Sequence, residues 1–283
     1  MFDLHVHSAP DVVDRLGDDV DLAGWYGDAG AAGFVLKSHF ESTVGRAALL
    51  RHTSGLEVYG GIALNAQAGG LNPAAVAVAL AMGGRVVWMP TVHARSEASP
   101  GAGPGGDPGS LAEFSARLTA GSFAAPPVDW AAQVPLTRIF ELIAEADAVL
   151  ATGHLSGAEV AWLIPAASAA GVRRILLTHP SFTHPAISAE EASTLTDGGA
   201  LAEVTAYQLL HQEGCDASFL AAFIRRVGPD RVVLSSDAGQ PDSPRPPVAL
   251  QQLIDALAGE GLDRARLDAM ASEVPHRLVD PDR

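Results

Sequence analysis

Eight short apolar runs, each bounded by turn residues and most of them separated from the next by a helical pattern, constrain this chain more than any other feature. They fall at 3–7, 34–39, 56–64, 85–91, 148–153, 174–179, 200–206 and 231–237. Alternation of this kind requires parallel strands joined by right-handed helical crossovers, because parallel neighbours cannot be connected by a hairpin. Eight such units in about 250 residues match the count and size of a closed (β/α)8 barrel, the TIM barrel. An open doubly wound sheet would call for a glycine-rich nucleotide-binding turn after the first strand; the chain has His5-Val6-His7-Ser8-Ala9-Pro10 there instead. With 283 residues, 48% of them hydrophobic, one barrel domain over 1–283 is expected.

Local signals mark the helices. Ser156 with Glu159 and Ser188 with Glu191 fit capping boxes, and Asn72-Pro73 places a cap before a first-turn proline. Leu136, Ile139, Phe140 and Ile143, and again Leu220, Phe223, Ile224 and Val227, form apolar stripes at helical spacing. Gly33, Gly55, Gly83, Gly171 and Gly198 stand where helices should end in a left-handed residue. Pro165 is expected to kink or break the fifth helix. The tail from Leu250 to Leu278 reads as the eighth helix plus a terminal one. The spacing is interrupted once, by a Gly/Pro-rich loop at 92–135 that follows the fourth strand, where loops border the active end of a barrel. A lid over substrate and a surface insertion are both open readings of it.

The chemistry-bearing residues are not scattered. Residues at i and i+2 share a face on a strand, so His5 and His7 project together, as do Lys37 and His39. His154, His179 and Asp237 follow the fifth, sixth and eighth strands, so all seven groups reach one pit at the C-terminal end of the barrel. Imidazoles and a carboxylate gathered in an apolar-walled pit call for a divalent metal such as Zn2+. His39 and His93 follow strand ends and are candidates for substrate binding, together with Arg46, Tyr207 and Gln240. Glu203, an acid inside an apolar strand, needs a partner: a ligand histidine to orient, or Lys37. His52, His184, His211 and His276 are read as solvated, and Cys215 as structural.

The set His5-x-His7, His154, His179 and Asp237 resembles the amidohydrolase superfamily of metal-dependent hydrolases, over Asp3 to Asp237. The opening Asp3-Leu-His-Val-His-Ser-Ala-Pro-Asp11 is similar to a smaller, poorly characterised branch of it. The resemblance implies that these five residues ligate one or two metal ions and that Asp237 is also the general base for the activated water. Cleavage of a C–N or C–O bond in an amide, cyclic amide, lactone or ester follows, with a decarboxylase on the same ligands or a metal-loaded binding protein as alternatives. Relatives with two metals bridge them through a carboxylated lysine or a glutamate on strand four, where this chain has neither. Lys37, on strand two, is the substitute candidate, either as a carbamate or as a substrate-binding amine.

Charge narrows the partners. Eighteen Lys and Arg against 33 Asp and Glu give a net −15, which repels phosphate backbones and anionic lipid, so neither nucleic acid nor membrane is expected. One cysteine excludes an intramolecular disulfide, and no leader or spanning pattern is visible, so a cytoplasmic protein acting on a small molecule is expected. Association of like chains stays open.

Overall fold

A computed structural model describes residues 1–96 and 122–280. Its eight strands are β1 (Phe2–Val6), β2 (Gly33–Leu36), β3 (Glu57–Ala63), β4 (Val86–Trp88), β5 (Val149–Ala151), β6 (Arg174–Leu177), β7 (Leu201–Thr205) and β8 (Val232–Ser235). They pair in sequence order, each parallel to the next. The ring closes where Asp237 N–H donates to the His5 carbonyl at 2.8 Å and His7 N–H to the Ala238 carbonyl at 2.9 Å. The expected (β/α)8 barrel is the fold.

Among the described residues the helices are α1 (Asp19–Asp28), α2 (Val44–Ser54), α3 (Pro73–Ala81), α4 (Gln133–Glu145), α5 (Gly157–Ala169), α6 (Ala189–Thr196), α7 (Ala206–His211), α8 (Ala217–Val227), α9 (Pro246–Gly259), α10 (Arg264–Met270) and α11 (Glu273–Val279). The apolar stripes of α4 and α8 are buried as their spacing requires. Two layers of core result. Phe2, Leu4, Val35, Trp88, Val149, Leu176 and Val233 fill the barrel, while a larger cluster lies between strands and helices.

Several expectations are corrected. Pro165 does not break α5, which runs through it: Val160, Leu163, Ile164 and Ala167 are packed in the core on both sides of the ring, and that packing offsets one lost hydrogen bond. Gly33 ends no helix; it opens β2, where a side chain would strike the Glu57 carbonyl. The left-handed residue after α6 is Gly199, one place beyond Gly198. The tail forms three helices, and α11 lies across the N-terminal mouth of the barrel with Leu278 and Val279 against Phe2 and Leu4. Of the 92–135 loop, 97–121 lie outside the described residues, so a lid role does too. Its flanks meet, since Phe123 N–H donates to the His93 carbonyl at 2.7 Å and accepts at its own carbonyl from Arg95 at 2.9 Å. α4 begins inside the expected loop, at Gln133.

Candidate metal centre

The expected strands are longer than the observed ones, and most site residues stand just beyond strand ends. His7 follows β1, Lys37 and His39 follow β2, His154 follows β5, His179 follows β6 and Asp237 follows β8. Two of these residues, His179 and Asp237, hold positive φ, +23° and +50°. For residues with a Cβ that conformation costs on the order of 1 kcal/mol, and it turns both side chains inward.

His5 reaches the pit by a different device. The register runs from Asp3 opposite Phe34 to Val6 opposite Leu36, which inserts one extra residue into β1. Because of this bulge Leu4 faces the barrel interior, Val6 faces the helices, and His5 is released into the pit. Strand alternation groups His5 with His7, but it predicts neither the bulge nor the residue that sustains it. Asp3, fully buried, accepts from His5 N–H at 3.1 Å and Ser236 N–H at 2.9 Å, and from Tyr26 Oη at 2.5 Å. Burial raises its carboxyl above the ordinary value. An acid between two large apolar residues, Phe2 and Leu4, is the signal the sequence offers.

Five imidazoles form a closed circuit. Ring centroids run from His5 to His7 at 5.2 Å, on to His39 at 5.1 Å, His154 at 6.3 Å and His179 at 5.0 Å, and back to His5 at 5.9 Å. All five are buried. Asp237 Oδ1 lies 2.9 Å from His5 Nε2 and 3.2 Å from His7 Nε2, and Oδ2 lies 3.9 Å from His179 Nε2. Lys37 Nζ is 2.8 Å from His5 Nε2. Glu203 sits beneath, with Oε1 3.2 Å from His5 Nδ1, and accepts from Ser235 Oγ at 2.6 Å and His179 N–H at 3.1 Å.

This arrangement fits a metal. Glu203 as an ionised acceptor places the His5 proton on Nδ1, leaving a lone pair at Nε2. That lone pair faces a carboxylate oxygen at hydrogen-bond distance, a contact that becomes favourable when a proton or a cation lies between them. Donor atoms of His5, His7 and Asp237 lie within 4.8 Å of one another, a spacing a single ion with bonds of about 2 Å can span. Burial holds His179 down to about 3, and burial with the neighbouring cations holds His7 and His39 well below the usual imidazole range, so all three offer lone pairs. Burial would lower His5 too, but Asp237 and Glu203 outweigh it and raise it. Asp237 is held well below the usual range by His5 and His7 in spite of burial.

The remaining candidates divide. His39 Nδ1 is 2.8 Å from Thr91 Oγ1, and Asn65 binds both the His39 carbonyl and Thr91; Asn65 also accepts from His93 N–H at 3.2 Å. Asn65 and Thr91 went unmarked in the sequence. Tyr207 forms a wall with Phe182 and His211. Arg46 is taken up by the protein, donating to Asp19, Glu41 and backbone carbonyls of the β1–α1 loop. Gln240 donates to the Asp237 carbonyl at 3.0 Å and thereby fixes the turn after β8. Of the two partners open to Glu203, it holds His5. His211 and His276 are not simply solvated: His211 Nε2 is 2.9 Å from Ser243 Oγ, and His276 stacks on Phe2 beside Glu57. Cys215 is buried and its thiol is pushed up to about 11, as an inert residue requires.

Solved structures share this fold at low identity. An organophosphate hydrolase engineered from a weak promiscuous lactonase template is 11% identical over 98% of this chain and 95% of that chain, with a TM-score of 0.61. An amidohydrolase from Pseudomonas aeruginosa is 13% identical over 98% and 96%, TM-score 0.59. A 2,6-dihydroxybenzoate decarboxylase from Rhizobium is 12% identical over 100% and 98%, TM-score 0.57. No curated protein matches the chain in sequence. Residues 1–203, which carry β1 to β6 and every candidate ligand except Asp237, match a sequence family, and the chain belongs to that family of unknown function, DUF6282.

Proposed function

We propose that this chain is a metal-dependent hydrolase of the amidohydrolase kind, cleaving a C–N or C–O bond in an amide, cyclic amide, lactone or ester of a small molecule. The observation that carries the reading is the approach of His5 Nε2 to Asp237 Oδ1 inside the circuit of imidazoles. His5, His7, His154, His179 and Asp237 would hold the ion, and their nitrogen and carboxylate donors suit Zn2+. When bound, a divalent metal supplies Lewis acidity, drawing the pKa of water toward about 7 and polarising the substrate carbonyl. Asp237 Oδ2, the oxygen farther from the imidazoles, is suited to take the proton of the attacking water and pass it to the leaving group. Glu203 fixes the tautomer of His5 and supports the backbone of His179.

Burial lowers Lys37 to about 8, which keeps a fraction of free amine near neutral pH. That amine can add to carbon dioxide, forming an N–C bond and releasing a proton, and the resulting carbamate would bridge two ions. Decarboxylation on the same ligands is the second reading, supported by the decarboxylase among the relatives of this fold. Incorporation of oxygen from labelled water into product separates the two.

The test is elemental analysis of the purified protein beside His5→Ala and His179→Ala. Each variant should lose metal and activity together while remaining folded. Full metal content in both would end this reading.

A further inference from the structure

The β1–α1 loop folds back over the pit. Ala9 N–H donates to the Gly17 carbonyl at 2.9 Å, and Leu16 N–H donates to the Gly239 carbonyl at 2.8 Å, two residues beyond Asp237. Gly239 can take this place because its φ is +130° and a Cβ there would strike the His7 carbonyl. Between these anchors stands Arg15, whose side chain is 1% exposed. Its Nε donates to Asp11 Oδ2 at 2.8 Å; Nη2 lies 2.7 Å from the same oxygen but off the line of its N–H bonds, and is buried without a hydrogen-bond acceptor. Asp11 is held in turn, its Oδ1 accepting from Val12 N–H at 2.6 Å.

A guanidinium offers five N–H donors, and burying the two of Nη2 without an acceptor is costly even beside the Asp11 carboxylate. Loop stability does not explain the cost, because Arg46 already clamps this loop through Asp19 and the carbonyls of Ser8, Ala9 and Pro10. Leu16, the next residue, is tied to Gly239 in the turn after Asp237, and the charge of Arg15 acts on His7, Lys37, His39 and Tyr207, so Arg15 stands on the part of the loop that borders the pit. Tyr207, one of the groups this charge reaches, stands in the aromatic wall with Phe182 and His211. On a chain with net charge −15, a buried cation adds local attraction for an anion.

We propose that Arg15 is a specificity-determining residue that receives an anionic group, a carboxylate or a phosphate, on the small molecule entering this pit. The proposal deepens the hydrolase reading, and rests on it for the pit being an active site. Asp11 presets the guanidinium through Nε, and the Nη2 N–H groups that it leaves without an acceptor would receive the incoming oxygens.

Metal-loaded protein is titrated calorimetrically with benzoate, neutral benzamide and inorganic phosphate, comparing wild type, Arg15→Gln and Arg15→Lys, with metal content measured in each. Benzoate or phosphate should bind wild type and weaken about tenfold or more in Arg15→Gln, the loss expected for a charge-assisted hydrogen bond, with benzamide and metal content unchanged. The tighter anion names the group. Arg15→Lys keeps the charge but not the fork and should fall between, which preserves the test if the glutamine variant does not fold. Equal anion affinity in wild type and variants, or no anion binding to wild type, overturns the proposal. The same titration on metal-free protein separates the two readings: Arg15-dependent binding there would persist even if the protein proved not to be a metal enzyme.

Discussion

At Asp237 the two carboxylate oxygens keep different company. Oδ1 meets the imidazoles of His5 and His7, whereas Oδ2 stands 3.9 Å from His179 Nε2. Asp237→Asn preserves the shape and removes the basicity, so the variant should fold and melt as wild type does while turnover drops by a factor of about 100 or more. Near-normal kcat at saturating substrate would remove Asp237 from the role of base. Lys37 gives a pH signature of its own. Its pKa is lowered from 10.5 to about 8, so the ammonium dominates below that value and the amine above it. Metal uptake in the presence of bicarbonate should therefore rise from pH 6.5 to pH 8.5, more steeply in wild type than in Lys37→Ala, and the variant should hold about half as much metal if a carbamate bridges two ions. Identical profiles for the two proteins would assign Lys37 to substrate.

Among the strand pairings described, β1 with β2 carries a register shift, and the carboxylate of Asp3 braces it. Removing the Asp3 carboxylate leaves the amides of His5 and Ser236 buried without acceptors, at about 1–3 kcal/mol each. Asp3→Ala should lower both melting temperature and metal affinity, whereas Asp3→Asn, which retains an oxygen toward the two amides, should keep most of both. A destabilised Asp3→Ala that binds metal normally would show that the bulge does not position His5. The contrast explains what could be read from the sequence. Strand order and the grouping of His5, His7, His154, His179 and Asp237 follow from periodicity and spacing, which are local properties. The bulge, the left-handed backbones of His179 and Asp237, and the inward turn of Arg15 depend on which chain segments meet across the barrel. Nothing within a few residues of Arg15 distinguishes it from Arg46, yet one is buried with open donors and the other saturated. Pro165 failed as a breaker for the same reason: burial on both sides of it overrode a local rule.

Over the whole molecule the two ends of the barrel divide the work. The C-terminal mouth gathers the ionisable groups, while the N-terminal mouth is closed by α11, with His276 stacked on Phe2 at 4.5 Å and Leu278 and Val279 beneath. Phe2→Ala should therefore cost about 3–5 kcal/mol of stability, read in a denaturant titration, with metal content per folded molecule unchanged. Loss of metal at full occupancy of the native state would mean that the two ends are coupled. The seam between β1 and β8 adds a consequence in time. The bonds that close the barrel, from Asp237 to His5 and from His7 to Ala238, also bring the imidazoles of the first strand to the carboxylate of the last. During synthesis the histidines emerge early and their counterpart late, so a nascent chain lacking β8 carries imidazoles but no assembled centre. Under the metal-dependent reading, acquisition of an ion would be deferred until the final strand has docked, and incomplete chains would be left without it.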